Sequence, residues 1–381
     1  MSWDHQQYVD FINKHAPAAV RKSLLQDNSK PFVPKDIPKR GKPPRIFVTY
    51  YSMPDWLDIF SSPPKSLASP KVRLDSRLGN TPFDQIIGEY KHAAQQHQDK
   101  VATCLGRIDS FPSGKALLTE LGLTVHSVRL MPYWHFFRTM TGADYFNSTS
   151  IPVEPRESRS YIAEGTMPDY EDEYEKNAPL RGDDNEPMSG KGTGKGSNVV
   201  LFFSAEIWES DGAPKGPGFR PDEVLFHELV HITRMIRGRV THVKVDGKGG
   251  YGNIEEYFAT VISNVYLSDE GQIKLRGFYS NDFIKQNKRE VKINGETVMV
   301  IIDPLPKDWS VMKDPDNFYN NPDNLDIPPR QLMQIFKDEQ PDFYFALAHL
   351  PEIKPKFNPV GQHFRENLHP NKAPPPRQKR P

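Results

Sequence analysis

Residues 221–238 read PDEVLFHELVHITRMIRG. Within this stretch, two histidines, His227 and His231, stand four residues apart, and Glu228 directly follows the first of them. Residues four apart lie one above the other on an α-helix, so the two imidazoles can face the same metal ion. Paired histidines at this spacing, with a glutamate beside the first, predict a metal site of the zinc hydrolase type.

Both ends of the expected helix carry suitable residues. Pro221 fits the first turn, and Asp222 and Glu223 place negative charge at the positive end of the helix dipole. Gly238 stands where a helix commonly ends. The apolar residues of the segment are Val224, Leu225, Leu229, Ile232, Met235 and Ile236. We therefore expect a helix that is buried around the histidines.

A second segment offers candidates for a third ligand, which a catalytic zinc site normally requires. Residues 251–269 read YGNIEEYFATVISNVYLSD, and their apolar periodicity predicts a helix. The periodic positions are Ile254, Tyr257, Phe258, Val261, Ile262 and Val265. Two adjacent carboxylates, Glu255 and Glu256, stand near the start of this helix, and its periodicity alone leaves both open as the ligand.

The histidine pair followed by a glutamate on a second helix resembles the gluzincin metallopeptidases. Residues 254–260, IEEYFAT, are similar to the thermolysin-type segment INEAISD and to the EFFA segment of anthrax lethal factor. Both alignments place the ligand at Glu256, with Glu255 as the alternate. Together with FHELVHITRMIRG at 226–238, the pattern most resembles the bacterial effector-type metallopeptidases of the NleD kind, over residues 105–270.

The resemblance implies an α+β fold: a zincin-like metallopeptidase domain with two metal-ligand helices, a small mixed sheet and long loop insertions. It also implies a Zn2+ cofactor held by His227, His231 and Glu256. Glu228 would act as the general base toward water and then as the proton donor to the leaving amine. The expected reaction is the hydrolysis of peptide bonds in a protein or peptide substrate.

Two further positions bear on the site through the same resemblance. Tyr251, five residues before Glu256, is the candidate donor to the oxyanion that develops during peptide hydrolysis. The alternative is that Tyr251 is a loop aromatic that packs on the helix. Thr260 stands where thermolysin carries an aspartate that orients a ligand histidine, so the resemblance leaves that orienting partner unassigned.

The segment that precedes the first helix predicts a short buried strand at 198–204, NVVLFFS. The resemblance implies that this strand forms the upper rim of the cleft, where an extended substrate pairs with it by strand addition. A plain core strand fits the same residues. The stretch SGKGTGKGS at 189–197 lacks the spacing of a phosphate-binding loop, and we interpret it as a flexible loop.

Composition narrows the classes of function. Lys plus Arg and Asp plus Glu both number 49, and this zero net charge argues against a global role at nucleic acids or membrane surfaces. The single Cys104 excludes an internal disulfide and favours a reducing compartment. The N-terminal residues lack the basic and apolar regions of a secretory signal, so we expect a cytoplasmic protein or one exported without a cleaved signal.

Three regions are expected along the chain. Residues 1–44 comprise a helix at 4–26 and a Pro/Lys linker, residues 45–350 the catalytic domain, and residues 351–381 a Pro-rich disordered tail. The catalytic domain has a core at 105–270 and an insertion at 132–196. Its other expected elements are strands at 45–51 and 124–131, helices at 81–104, 114–121 and 328–349, and a hairpin at 290–303 turning at Asn294-Gly295.

Two other functions fit the same residues. One is a zincin-like binding or scaffolding protein without catalytic activity, which metal analysis of the purified protein would test. The other is a chain in which the HELVH pentapeptide is coincidental and the Pro-rich ends mediate interactions, which a metal-independent melting temperature would favour. The family resemblance adds the role of an effector or toxin that acts on host proteins. The residues give no indication of the oligomeric state.

Overall fold

The computed structural model describes residues 5–35, 45–61, 82–132, 196, 198–203, 205, 220–239, 245, 253–272, 275, 288–293, 296–301, 327–351 and 357–368. The helices are α1 (His5–His15), α2 (Ala18–Leu24), α3 (Met53–Ser61), α4 (Phe83–Ile108), α5 (Pro112–Gly122), α6 (Pro221–Met235), α7 (Ile254–Asp269), α8 (Pro329–Glu339), α9 (Pro341–Ala348) and α10 (Pro359–Leu368). The strands are β1 (Asn28–Pro31), β2 (Ile46–Tyr50), β3 (Val128–Met131), β4 (Val199–Phe202), β5 (Lys288–Ile293) and β6 (Glu296–Ile301).

Two compact units are assembled from segments that alternate along the chain. The first comprises Met1–Asp109, Leu121–Asn177 and Thr193–Gly238, and the second comprises Ser110–Glu120, Ala178–Gly192 and Arg239–Pro381. The first unit therefore contains strands β1 to β4 and helix α6. The second contains α7, the β5–β6 pair and the C-terminal helices.

The first unit is built on a four-stranded sheet with the strand order β1-β2-β3-β4. β1 runs antiparallel to β2, whereas β2, β3 and β4 run parallel to one another. Residues 46–50, IFVTY, are β-branched or aromatic, which favours an extended strand, and four of the five are buried. The predominance of helices and this small mixed sheet agree with the predicted α+β class.

Aromatic side chains form much of the core between the sheet and the helices of the first unit. Tyr90 of α4 lies against Tyr50 and Trp56, with ring centroids 6.0 and 5.6 Å apart. Its hydroxyl donates a hydrogen bond to the backbone oxygen of Tyr51 at 2.8 Å. The ring of Tyr90 is therefore buried without leaving its polar tip unbonded, which is the usual solution for a core tyrosine.

In the second unit, side chains at the C-terminal end of α7 bond to segments distant in sequence. The Asp269 carboxylate accepts hydrogen bonds from the backbone N–H and the hydroxyl of Ser113, at 2.9 and 2.8 Å. These bonds satisfy a donor in the first turn of α5. The hydroxyl oxygen of Ser268 accepts a hydrogen bond from the Phe357 N–H at 2.9 Å. Helix α7 is thus tied both to α5 and to the segment leading into α10.

The C-terminal helices pack through aromatic rings. Phe336 of α8 contacts Phe258 of α7 and Phe343 of α9, with ring centroids 5.5 and 5.6 Å apart. The hydroxyl of Tyr344 lies 2.7 Å from Nδ1 of His363 on α10. Burial lowers the pKa of His363 below its ordinary value, so the neutral ring can accept a hydrogen bond from the tyrosine hydroxyl.

Near the N-terminus, two expectations are wrong. The single helix expected at 4–26 is two helices, because Pro17, at φ −52° and ψ 138°, takes an extended conformation between α1 and α2. Residues 28–31, which fall in the expected 27–44 linker, form β1 at the edge of the sheet. Pro31 ends this strand, and proline is tolerated on an edge strand because no neighbour requires its N–H.

Toward the C-terminus, the helix expected at 328–349 is also divided, since Gln340 leaves helical geometry and Pro341 begins α9. Helix α10 lies within residues 351–381, which were expected to be disordered, and it forms because Val360 and His363 are buried. Residues 369–381 lie outside the described part of the chain.

Among the remaining elements, the predicted hairpin is present, whereas one strand is shorter than predicted and one helix was not predicted. Antiparallel pairing of β5 with β6, in which Ile293 faces Glu296, confirms the predicted hairpin, although its turn residues lie outside the described part. The strand expected at 124–131 begins only at Val128, and α3 was not expected. Almost all of the 132–196 insertion lies outside the described residues. No helix in the described ranges is both long and apolar enough to cross a bilayer.

Two C-terminal deletions are expected to behave differently. Removing residues 370–381 should leave the melting temperature unchanged, because this stretch combines proline with Lys and Arg and offers few large apolar side chains to bury. Removing residues 359–381 should lower the melting temperature by several degrees, because it also deletes the buried side chains of α10. Thermal unfolding of the two truncated proteins checks this. A large fall after the shorter deletion would show that the tail packs on the protein.

Candidate metal centre

Helix α6 begins and ends as its sequence predicts. Pro221 occupies the first helical position, and Asp222 and Glu223 stand in the first turn. Gly238 adopts a φ of 59°, and its N–H bonds to the carbonyl oxygen of Met235 at 3.0 Å. This left-handed conformation costs glycine little and closes the last turn. The predicted helix around the histidines is confirmed, with bounds at Pro221 and Met235.

The central part of α6 is buried on all sides. Every residue from Asp222 to Arg234 is buried, and His227, Glu228 and His231 expose only 0%, 2% and 3% of their surface. Burial of polar side chains is costly unless each finds a partner, and metal coordination is one such partner. A buried His-Glu-x-x-His helix therefore differs from a surface helix that happens to contain two histidines.

The two imidazoles face each other on the helix. Nε2 of His227 lies 3.3 Å from Nε2 of His231, and the ring planes are inclined at 80°. Two nitrogens bound at roughly 2.0–2.1 Å to one tetrahedral zinc ion lie about 3.3–3.4 Å apart. The histidine nitrogens thus stand at the separation that two ligands of a single zinc ion require.

Helix α7 begins later than the 251–269 segment predicted from sequence. Asn253 is its N-cap, and its side-chain oxygen accepts a hydrogen bond from the Glu256 N–H at 3.0 Å. This bond satisfies one of the N–H groups that a helix start leaves without an intrahelical partner. Glu255 and Glu256 lie in the first turn, where Glu255 is buried and Glu256 is partly exposed.

Three potential ligands lie close together among the described residues. One ligand atom from each of His227, His231 and Glu256 lies within 4.8 Å of the other two, and Glu255 is not a member of this group. Two imidazole nitrogens and one carboxylate oxygen form a donor set that zinc accepts in catalytic sites. The donor types therefore fit the metal expected from the sequence.

Contacts that sequence analysis missed hold α6 at both ends. Asp222 forms an ion pair with Arg107 of α4 at 3.2 Å and a second with Arg220 at 3.1 Å. At the other end, Gly196 adopts a φ of 69°, and a Cβ atom there would overlap the carbonyl oxygen of Ile236. Gly196, which falls in the expected flexible loop at 189–197, is therefore packed against the end of α6, and the other residues of that loop lie outside the described part of the chain. Only the recurrent glycines of that loop hinted at a close approach.

The remaining predicted residue of the site lies outside the described part of the chain. Tyr251, the candidate oxyanion donor, precedes the first described residue of the α7 segment, Asn253. Its two interpretations, as a catalytic donor and as a packing aromatic, therefore both stay predictions. Thr260 lies within α7 and is fully buried.

Comparison with known proteins bears on the nature of this centre. Residues 88–260 match the Peptidase_M91 family, which is described as an effector protein. The matched segment is somewhat less than half of the 381 residues, and it contains α6 and the first half of α7. The Peptidase_M91 match confirms the resemblance to bacterial effector-type metallopeptidases. No curated protein and no solved structure gives a significant match.

The adjacent carboxylates of α7 provide a matched pair for testing the ligand assignment. Mutation of a residue that only hydrogen-bonds to a metal ligand typically lowers metal affinity roughly 10–100-fold. Glu256→Gln is expected to lower zinc affinity by more than this, because it removes the charge of a ligand itself. Glu255→Gln is expected to retain zinc. Zinc content by elemental analysis and titration against a competing chelator provide the measurement. The reverse result would assign the third ligand to Glu255.

Proposed function

We propose that this protein is a zinc-dependent metalloendopeptidase that hydrolyses peptide bonds of a protein substrate. The observation that carries the proposal is the 3.3 Å separation of the His227 and His231 nitrogens on a buried helix, which suits two ligands of one zinc ion. The Peptidase_M91 match supports the peptidase activity on independent grounds. The metal ligands are His227, His231 and Glu256.

Zinc in this donor set would polarise the substrate carbonyl and lower the pKa of a bound water toward neutrality. The protein supplies a site that is largely shielded from solvent, with both histidines exposing no more than 3% of their surface. Electrostatic interactions are stronger in such surroundings than in water. Of the three proposed ligands, Glu256 alone is partly exposed.

Glu228 is the general base. Its carboxylate projects from the same buried helix directly after His227 and is 2% exposed. It takes the proton from the attacking water and then passes it to the amine that leaves when the peptide bond breaks. The same carboxylate thereby serves both steps, and no second titrating side chain is needed for proton transfer.

An edge strand provides a place for an extended substrate in the first unit. Among the described residues, β4 pairs with β3 on one side and is the last strand in the order of the sheet. An extended peptide can add to such an edge through backbone hydrogen bonds that any sequence can form. We assign to β4 the role of pairing with the substrate backbone. Because backbone hydrogen bonds do not distinguish one sequence from another, selection among substrates would depend on contacts with the substrate side chains.

The biological role that we propose is that of a secreted effector or toxin acting on proteins of a host. The effector description of the matching family supports this role. The substrate is defined here by its chemistry, as a polypeptide able to present an extended segment at the metal centre.

Replacing Glu228 by Gln tests the mechanism. The variant should keep its zinc and its melting temperature but lose about 10²–10⁴-fold in peptidase activity, because an amide cannot accept the proton from water. The assay measures cleavage of proteins and peptides that the wild type cuts, with zinc content and thermal unfolding as controls. Undiminished cleavage by the variant would refute the assignment of the base. A wild type that binds zinc but cleaves nothing would favour a zincin-like binding protein.

A further inference from the structure

A buried hydroxyl lies one helical turn after Glu256 on the same face of α7. Thr260 is fully buried, as is Ser263 one turn further along. Residues four apart on a helix have Cβ atoms about 5–6 Å from each other. The side chain of Thr260 also leans toward the N-terminal turn, because helical Cα–Cβ bonds tilt in that direction. The side chain of Thr260 is therefore on the side of the turn that carries Glu256.

The Thr260 hydroxyl has no hydrogen-bond partner within the described ranges, although its surroundings are closed to solvent. Two other helical threonines bond locally. Thr233 of α6 donates to the Val230 carbonyl at 2.7 Å, and Thr103 of α4 donates to the Asp99 carbonyl at 2.8 Å. This local bond is the usual way to satisfy a hydroxyl inside a helix. Thr260 does not form it, so its donor remains available for another acceptor.

A carboxylate that binds a metal normally also accepts a hydrogen bond from a neighbouring group, which fixes its orientation. We infer that Thr260 is a positioning residue whose hydroxyl donates to the Glu256 carboxylate, directly or through one water, when zinc is bound. This inference rests on the proposed zinc site. The buried Thr260 hydroxyl would then hold the third ligand, Glu256, in its orientation.

Ser263 provides the matched control. It lies on the same helix face, is equally buried and also has an unbonded hydroxyl in the described part of the chain. It lies seven positions after Glu256, which places it two turns away and beyond the reach of the carboxylate. If any buried hydroxyl on α7 affected zinc binding through packing alone, loss of either hydroxyl would have a similar effect.

The test uses the full chain and measures zinc affinity by titration against a competing chelator. Thr260→Val keeps the branched shape but removes the hydroxyl, so the zinc Kd should rise about 10–100-fold. Thr260→Ser keeps the hydroxyl and should bind zinc nearly as tightly as the wild type. Ser263→Ala should leave the Kd unchanged.

A second readout separates positioning from folding. Without zinc, Thr260→Val should melt at the same temperature as the wild type or higher, because it removes a buried polar group for which the described residues provide no hydrogen-bond partner. A lower melting temperature of metal-free Thr260→Val would indicate a packing role and overturn the inference. So would an unchanged zinc Kd in Thr260→Val, a weakened Kd in Thr260→Ser, or an equal loss in Ser263→Ala. A wild type that binds no zinc would instead reject the proposed function itself.

Discussion

Two imidazole nitrogens held 3.3 Å apart on one buried helix set the requirements for the elements around them. A pair of ring nitrogens in a solvent-excluded place is unfavourable unless a ligand or a proton joins them. Their helix must also be fixed along its axis, since a shift of one residue would turn both rings away. Asp222 fixes the first turn through Arg107 and Arg220, and Gly196 fits against the last turn where no larger residue could. The ends of α6 are therefore as important to the centre as the histidines themselves.

The second helix of the centre is placed by a different set of forces. α7 is buried along almost its whole length, and polar side chains at its two ends form hydrogen bonds. Asn253 caps the first turn, next to Glu256, while Asp269 at the far end bonds to Ser113 in α5. Apolar contact with Phe336 of α8 adds to these bonds. The position of Glu256, the proposed carboxylate ligand, therefore depends on the C-terminal helices, which lie far from it in sequence.

The sequence predicted well the elements whose ends carry residues typical of helix ends or turns, such as proline and glycine. Pro221 and Gly238 bracket α6, and the hairpin spacing around 294–295 agrees with the pairing of β5 and β6. Elements that depend on distant partners were missed or misplaced. β1 has the composition of a linker and becomes a strand only because β2 offers it a ladder of hydrogen bonds. Likewise, α10 is short and follows a Pro-rich context, and it is stabilised by burial against Tyr344.

The same distinction applies to the candidate centre. The spacing alone predicts the two histidines and the adjacent Glu228 as site residues, because residues four apart on one helix lie on the same face. The choice between Glu255 and Glu256 required a family resemblance, since both lie in the same turn. The Asp222–Arg107 ion pair could not be predicted, because it joins residues 115 positions apart on two helices.

Diffraction from crystals of the zinc-loaded protein, recorded at the zinc absorption edge, tests the proposed zinc site most directly. One anomalous peak is expected at bonding distance from Nε2 of His227, Nε2 of His231 and the Glu256 carboxylate; zinc bound elsewhere, or no zinc peak, would contradict the proposed site.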